Sequence, residues 1–529
     1  MTNSTTVDNI TQFPSQRLAV PRVENTRHIL FDTSQKNIAQ ELIDLPYADI
    51  HCALTLAKNK LKLLNRLGLA VTKRDSVTDP FHFAFQRFID YFRSFHSLSR
   101  YTRPPTDNDL MEMALFTDEM AFSYKHIVLG YLASKKKQKG LAVSLYNALY
   151  YIGQSMLQSY EQNQWQNSRL WQEIHFLYAY AEEQGFLGQD IPSNAPTPRP
   201  KSIDGLYKQL LLTALADPYK MTQGKHWAVF DYSGRIAQHA EIQKPEALPA
   251  FNYGFAIRLD SSKPPIAVRA LPQIPHTSLR ILLPQGAATI INRQLEMIKT
   301  GQSQNIPGLS STARDEDKIR FLQLLHHQWA EKPLRNEKRE LTKESIGFIW
   351  GVKDIHKILD PSARHQATMM QRPTSVEHSS IGLSQNESTD GICITLKTPE
   401  NDAPSNGQVV GLIRKINNQK QLTLGIIQWS AKRGPRQLVC GVKKLFSAPQ
   451  PAFVAEQNNP DNTYPALLFR DIDKHGDTNT QLLASSGLLA PGKAILVNLI
   501  NTQNWHSTTS MSPVKQTECI DLFKLQGAI

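Results

Sequence analysis

Apolar positions over roughly the first 190 residues recur at steps of three and four. Ile38, Leu42, Ile43 and Leu45 open the pattern, and Leu54, Leu56, Ala57, Leu61, Leu63, Leu64 and Leu67 continue it. A residue every turn on one face is the mark of an amphipathic helix. The same spacing predicts an aromatic-rich helix over 81–95, carrying Phe81, Phe85, Phe88, Tyr91 and Phe92. Further helices are predicted over 110–133, 140–162, 168–184 and 203–216. Aromatic residues at helical spacing fill cores far more often than they form stacking surfaces, so these rings are assigned to the interior. Residues 36–190 therefore read as an all-helical domain, preceded by a polar, flexible arm at 1–35 and ended by a Pro-rich break over 192–201.

The pattern then becomes mixed. The runs 226–231 (HWAVFD) and 251–259 (FNYGFAIRL) read as strands, whereas 279–300 and 314–330 read as helices. Residues 191–332 are either a small α+β piece or a helical continuation with a sheet edge. From Lys343 onward the runs shorten and turn residues punctuate them, at Asp390-Gly391, Asn406-Gly407, Gly434-Pro435 and Gly476-Asp477. Strands are predicted over 345–352, 391–396, 409–414 and 422–429, and again over 464–472, 481–483, 493–500 and 519–525. Such spacing argues for an antiparallel barrel. The fold class is multidomain α+β, an all-helical N-terminal region followed by a C-terminal antiparallel β-barrel with additional strands. The barrel and the arginine-bearing linker before it occupy 333–446. Residues 447–529 either flank that barrel or close a second one.

Composition narrows the function. A net charge of +12 on 529 residues suits an anionic partner, but the charge is spread along the chain. Its densest run, Lys135-Lys136-Lys137-Gln138-Lys139, reads as a solvated helix end or loop. The four cysteines, Cys52, Cys393, Cys440 and Cys519, form no C-x-x-C pair, and the last three sit in strand-like runs as buried reduced thiols would. No signal-peptide core and no apolar run of spanning length is present, so a cytoplasmic location is expected. His51, His126 and His175 lie in helical patterns without companions at metal-ligand spacing, and His326-His327 falls on different helix faces. The G-x-x-x-x-G-K spacing at Gly487–Lys493 lacks the following hydroxyl, carries Pro491 and precedes a strand, so it reads as a turn. No catalytic constellation appears; no enzyme activity, cofactor or metal is expected.

Two short segments flank the first barrel strand. Pro333 to Arg339 holds an R-x-x-x-R spacing in Arg335 and Arg339. Glu377-His378-Ser379-Ser380-Ile381-Gly382 holds an acid-x-S-x-x-G spacing. Guanidinium groups bind phosphate bidentately and stack flat on purines. A carboxylate accepts both the ring N–H and the exocyclic amine of guanine, a donor pair that adenine lacks. A serine hydroxyl and a glycine that admits close backbone approach complete a pocket for a guanine nucleotide.

These residues, in this order on a β-barrel, resemble the signature of PilZ domains, a family of cyclic di-GMP receptors. The strand pair over 407–429, with G-x-x-V-G-x-I-R at its opening and G-I-I-Q-W at its close, is similar to that family's barrel. The resemblance is specific over 333–446, and the helical half resembles large bacterial PilZ proteins tied to type IV pilus (twitching) motility, surface attachment and biofilm formation. It implies that Arg335 and Arg339 hold phosphates and stack on guanine, while Glu377, Ser379 and Gly382 form the base-binding turn. Glu377 stands where the family usually has Asp or Asn, and 360–371 reads as an inserted loop. The resemblance implies a non-enzymatic cyclic di-GMP receptor whose helical half meets a protein partner. Beside it stand a protein-interaction scaffold with a non-binding barrel and, more remote, general nucleic-acid binding driven by charge.

Overall fold

In the computed structural model the described residues are 17–24, 32–94, 105–134, 140–192, 199–222, 224–245, 253–268, 277–302, 304–330, 338–360, 378–397, 403–416, 419–434, 436–445, 449–472, 478–500 and 504–526. They fall into two units. The first lies within 1–162, 166–218 and 222–334; the second comprises 335–529 with two short pieces, 163–165 and 219–221. The lysine run at 135–139 lies outside the described residues.

The first unit carries the N-terminal periodicity as helices α1 (Gln35–Ile43), α2 (Ile50–Arg66), α3 (Val71–Thr78), α4 (Phe81–Ser94), α5 (Asp107–Ala133), α6 (Leu141–Glu161), α7 (Ser168–Glu183), α8 (Ile203–Leu215) and α9 (Lys225–Ile236). Helix α5 begins at a reciprocal cap: Thr106 accepts from the Asp109 N–H, and the Asp109 carboxylate accepts from the Thr106 N–H. It packs against α2, α3 and α6. Its buried residues include Met113, Phe116, Met120, Tyr124 and Ile127, but also Glu112, Glu119 and Lys125. Each buried charge has a partner, as burial demands: Lys58 for Glu112 at 2.6 Å, Arg66 for Glu119 at 2.5 Å and Glu173 for Lys125 at 3.0 Å. Phe81, Phe85 and Phe88 are fully buried, in keeping with a core role for the aromatic residues.

Three expectations are corrected in this unit. The run 226–231 is helix α9 rather than a strand. Its residues from His226 to Phe230, with Tyr232, Ser233 and Ile236, are all buried, so the helix has almost no polar face and its run of apolar residues imitates a buried strand. Conversely, 279–283 is strand β4 (Leu279–Leu283), which Pro284 separates from helix α10 (Gln285–Lys299). Strand β4 lies in a four-stranded sheet with β1 (Glu241–Gln243), β2 (Phe255–Arg258) and β3 (Ile266–Ala267), in the order β1-β4-β2-β3, and helix α11 (Asp315–Ala330) packs on α10. The alternative left open for 191–332 thus resolves to helices with a small sheet. Finally, part of the expected arm is ordered by packing: Leu18 is 1% exposed, and the Ala19 N–H donates to Glu173 at 2.7 Å.

The second unit is built from strands. After the two-residue β5 (Glu340–Leu341) come β6 (Ser345–Trp350), helix α12 (Val352–Leu359), β7 (Ser379–Glu387), β8 (Gly391–Lys397), β9 (Val409–Ile416), β10 (Gln419–Gly434) and β11 (Gln437–Leu445). The order β7-β6-β9-β10-β11-β8, with β8 pairing back to β7, closes a six-stranded ring, and β5 is appended to β7. Alternate residues point inward, and Ile346, Phe348, Trp350, Ile394, Leu396, Val410 and Leu412 help to fill the ring. The strand expected over 345–352 ends at Trp350, because Gly351 takes φ 93° and turns the chain into α12.

Strands β12 (Gln450–Glu456), β13 (Asn459–Ile472), β14 (Thr478–Ser485), β15 (Ala494–Leu499), β16 (Trp505–Gln516) and β17 (Ile520–Leu525) close a second barrel in the order β12-β13-β14-β17-β16-β15. The Gly487–Lys493 segment is the turn region leading into β15. A cluster of buried side chains joins the two barrels through α12. Val352 and Ile355 of the helix meet Ile349, Val409, Leu424 and Ile426 of the first barrel, and Leu467, Phe469, Leu483 and Leu522 of the second. Cys393 and Cys440 are buried, whereas Cys519 is only half-buried, in the turn before β17, and none of the three is in a disulfide. Among the described residues no helix is long and apolar enough to cross a membrane, and no group of three or more His, Cys, Asp or Glu side chains is placed to hold a metal.

Candidate functional site

Of the five residues singled out by motif, Arg335 and Glu377 lie outside the described residues. Arg339, Ser379 and Gly382 are described. The acid-x-S-x-x-G segment, expected as a turn, continues into strand: Ser379 and Gly382 both belong to β7, paired with Ile349 and Ile346 of β6. Side chains on a strand alternate faces, so residues three apart point oppositely. Ser379 is exposed on the outer face, together with Ile381 and Leu383, which are 72% and 46% exposed. Gly382 is buried and faces the interior; a Cβ there would lie 2.5 Å from Ile394 Cγ2 and 2.7 Å from Leu396 Cδ2.

Gly382 is therefore required by the barrel itself. Gly382→Val is expected to cost about 1–3 kcal/mol through overpacking. The exposed Ser379→Ala should stay within about 0.5 kcal/mol of the parent. Urea unfolding followed by near-ultraviolet circular dichroism compares the two, and a Gly382→Val protein as stable as its parent would refute the packing role.

The outer face beside Ser379 is a shallow apolar floor. Ile381 lies opposite Gly347 of β6, which carries no side chain, and Leu383 lies opposite Thr395 of β8. Lys397 is exposed at the end of β8. Such a floor offers a stacking surface for a planar base, with a hydroxyl and a cation at its margins. Arg339 stands elsewhere along β7. It precedes Glu340 and Leu341, which pair with Glu387 and Asn386. At about 3.3 Å per residue, seven residues put Ser379 roughly 23 Å from Asn386. The structure thus places Arg339 and Ser379 near opposite ends of the strand and does not bring their side chains together.

The Arg339 end carries a charge cluster. Arg414 grips Glu387 with both terminal nitrogens, at 3.0 and 2.5 Å, and Lys444 lies 2.5 Å from the same carboxylate. Burial opposes ionisation of Glu387, but hydrogen bonds from Arg414 and Lys444 hold its carboxyl below the usual range.

At the other end, His378 is held on both sides. Its N–H donates to Asp354 Oδ2 at 3.0 Å and its Nδ1–H donates to the same oxygen at 2.8 Å. Its carbonyl accepts from the Trp350 N–H at 3.2 Å. Asp354 lies on α12 and is 1% exposed. The motif reading missed both Asp354 and the outward pair Ile381 and Leu383. The helix was legible: Val352, Ile355, Ile358 and Leu359 follow Gly351 at helical spacing.

Comparison with known proteins adds one positive finding. Residues 36–247, from the start of α1 to just past β1, match a family model described as the N-terminal domain of the cyclic-di-GMP receptor FimW. No curated protein matches the chain. The matched region is the helical half whose packing is described above, and over those residues the chain is similar to the N-terminal domain of a cyclic-di-GMP receptor.

Proposed function

We propose that this protein binds cyclic di-GMP on the outer face of the first barrel, which acts as a PilZ domain, and couples that binding to a protein partner of the helical half in pilus motility, surface attachment or biofilm control. The observation that carries the proposal is the match of residues 36–247 to a cyclic-di-GMP receptor domain. In this reading Arg335 and Arg339 hold phosphate and stack on guanine. Ser379, Glu377 and the backbone at Gly382 take the base, over the floor of Ile381 and Leu383. The protein acts as a receptor without catalysis, in the cytoplasm, with no cofactor beyond the ligand itself.

Calorimetric titration of cyclic di-GMP into the intact chain tests this, alongside the Arg335→Ala/Arg339→Ala double variant. Three or four charge-assisted bonds of about 1.5–3 kcal/mol each, less ordering costs, support a dissociation constant on the order of micromolar, about −8 kcal/mol. Binding of that order, lost in the double variant, is the expected result; no heat from the parent chain refutes it.

Two observations favour a second reading. Packing alone accounts for Gly382, and the described motif residues are spread along β7. A scaffold whose barrel no longer binds nucleotide would show both features and would give no heat. General nucleic-acid binding separates from both by affinity for unrelated oligonucleotides that falls steeply with salt.

A further inference from the structure

We infer that Asp354 is a positioning residue for the nucleotide site, held in place by the second barrel through helix α12. The inference rests on the reading that the segment around Ser379 meets cyclic di-GMP, and deepens it. Asp354 hydrogen-bonds both the backbone N–H and the ring of His378. It acts through His378, the residue between Glu377 and Ser379.

A single carboxylate oxygen receives both the backbone N–H and the ring Nδ1–H of His378, at 3.0 and 2.8 Å. The Trp350 N–H, one residue before the helix's capping glycine, holds the carbonyl of the same residue at 3.2 Å. The peptide groups on either side of His378 are thereby tied down, which fixes where the chain enters β7 and the direction in which Ser379 leaves the sheet. The Trp350 ring meets the His378 ring edge-on, with centroids 5.9 Å apart.

What fixes Asp354 is the helix. Its neighbours Val352 and Ile355 are buried among Leu467, Phe469, Leu483 and Leu522 of the second barrel. On the same helix the His356 ring packs on Phe453 of β12 at 4.7 Å between centroids. The Lys357 ammonium lies 3.4 Å from the other Asp354 oxygen, so the carboxylate is oriented from both sides. A site held to within fractions of an ångström needs such support behind the groups that touch ligand. The second barrel supplies it here without touching the ligand itself.

The test uses the full-length chain and cyclic di-GMP in four versions: parent, Asp354→Ala, Asp354→Asn and Phe453→Ala. Calorimetry gives affinity, and amide hydrogen exchange of 378–384 gives the order of the strand entrance. Asp354→Ala is expected to weaken binding by about tenfold or more, the scale of one charge-assisted bond, and to speed exchange at His378 and Ser379. Asp354→Asn keeps an oxygen that accepts from the His378 N–H and should fall between the parent and the alanine variant. Phe453→Ala removes a support without touching the site and should shift both readouts in the same direction as Asp354→Ala.

Parent-like affinity and parent-like exchange in Asp354→Ala overturn the inference. Equal losses in the asparagine and alanine variants overturn it too, since a lost charge rather than lost positioning would then be the cause. If the parent itself binds no nucleotide, the receptor reading fails. Exchange at 378–384 then decides separately whether Asp354 positions the strand entrance.

Discussion

Glu173→Ala is expected to destabilise the helical unit by about 3–5 kcal/mol, the range for removing one partner of a buried ion pair. Lys125 and Glu173 are 5% and 3% exposed and 3.0 Å apart. Burial pushes the Lys125 ammonium below the ordinary lysine range, while the Glu173 carboxylate opposes that shift. Alanine would leave the ammonium desolvated without its partner, and would also orphan the Ala19 N–H that donates to Glu173 at 2.7 Å. The double change Lys125→Met/Glu173→Leu replaces both charges by apolar side chains of similar volume and should recover most of the loss. Urea unfolding followed by far-ultraviolet circular dichroism reports on the helices. An unchanged midpoint for Glu173→Ala, or no recovery in the double variant, would show that the pair is not the support this geometry describes.

That ion pair also shows why part of the fold was legible and part was not. Helices α1, α2 and α4 carry ordinary one-sided stripes, and spacing alone places them. Helix α5 buries residues nearly all round, charged ones included, and its partners Lys58, Arg66 and Glu173 come from 48 to 54 residues away. No local pattern announces a pairing over such separations. Helix α9 fails the spacing test for the same reason, being buried on most sides. In the barrels, alternation marked the strands that have one solvated face. It missed β7, expected as a turn, and β11 and β12, which hold runs of buried residues, as well as β16, which is mostly exposed and polar with a proline inside it.

The candidate site was legible as composition and not as geometry. The spacing S-x-x-G suggests a turn presenting both residues to one ligand, but on a strand an odd separation sends Ser379 outward and Gly382 inward. Nor does R-x-x-x-R disclose the register that sets Arg339 beside the far end of β7. The support behind the site was invisible for a different reason. Asp354 lies 24 residues before His378, and only the closure of the barrel brings them together.

The largest pH effect is expected from buried histidines of the helical unit. His175 is fully buried. Its Nε2 lies 2.9 Å from the Lys263 carbonyl, which can only accept, so Nε2 carries the proton and Nδ1 accepts from the Tyr207 hydroxyl at 2.7 Å. A second proton, on Nδ1, would require the Tyr207 hydroxyl to turn from donor to acceptor, and burial lowers the pKa of the ring from 6.5 to about 4, against smaller opposing effects of the Lys263 hydrogen bond and the Asp260 charge. His82, whose ring nitrogens meet the hydroxyls of Tyr124 and Tyr151, is lowered to about 4 as well, first by burial and then by the charge of Arg199. In the unfolded chain both rings protonate near pH 6.5, so between 6.5 and 4 the unfolded state binds more protons and stability falls as pH falls. Below about 4 the native rings protonate too and the loss levels off. Each shift corresponds to roughly 3 kcal/mol at the acid end. His175→Gln can keep a donor to Lys263 without titrating, so its urea midpoint should vary less between pH 6.5 and 4 than that of the parent chain. Parallel midpoint curves for the two proteins would show that His175 does not supply the acid sensitivity.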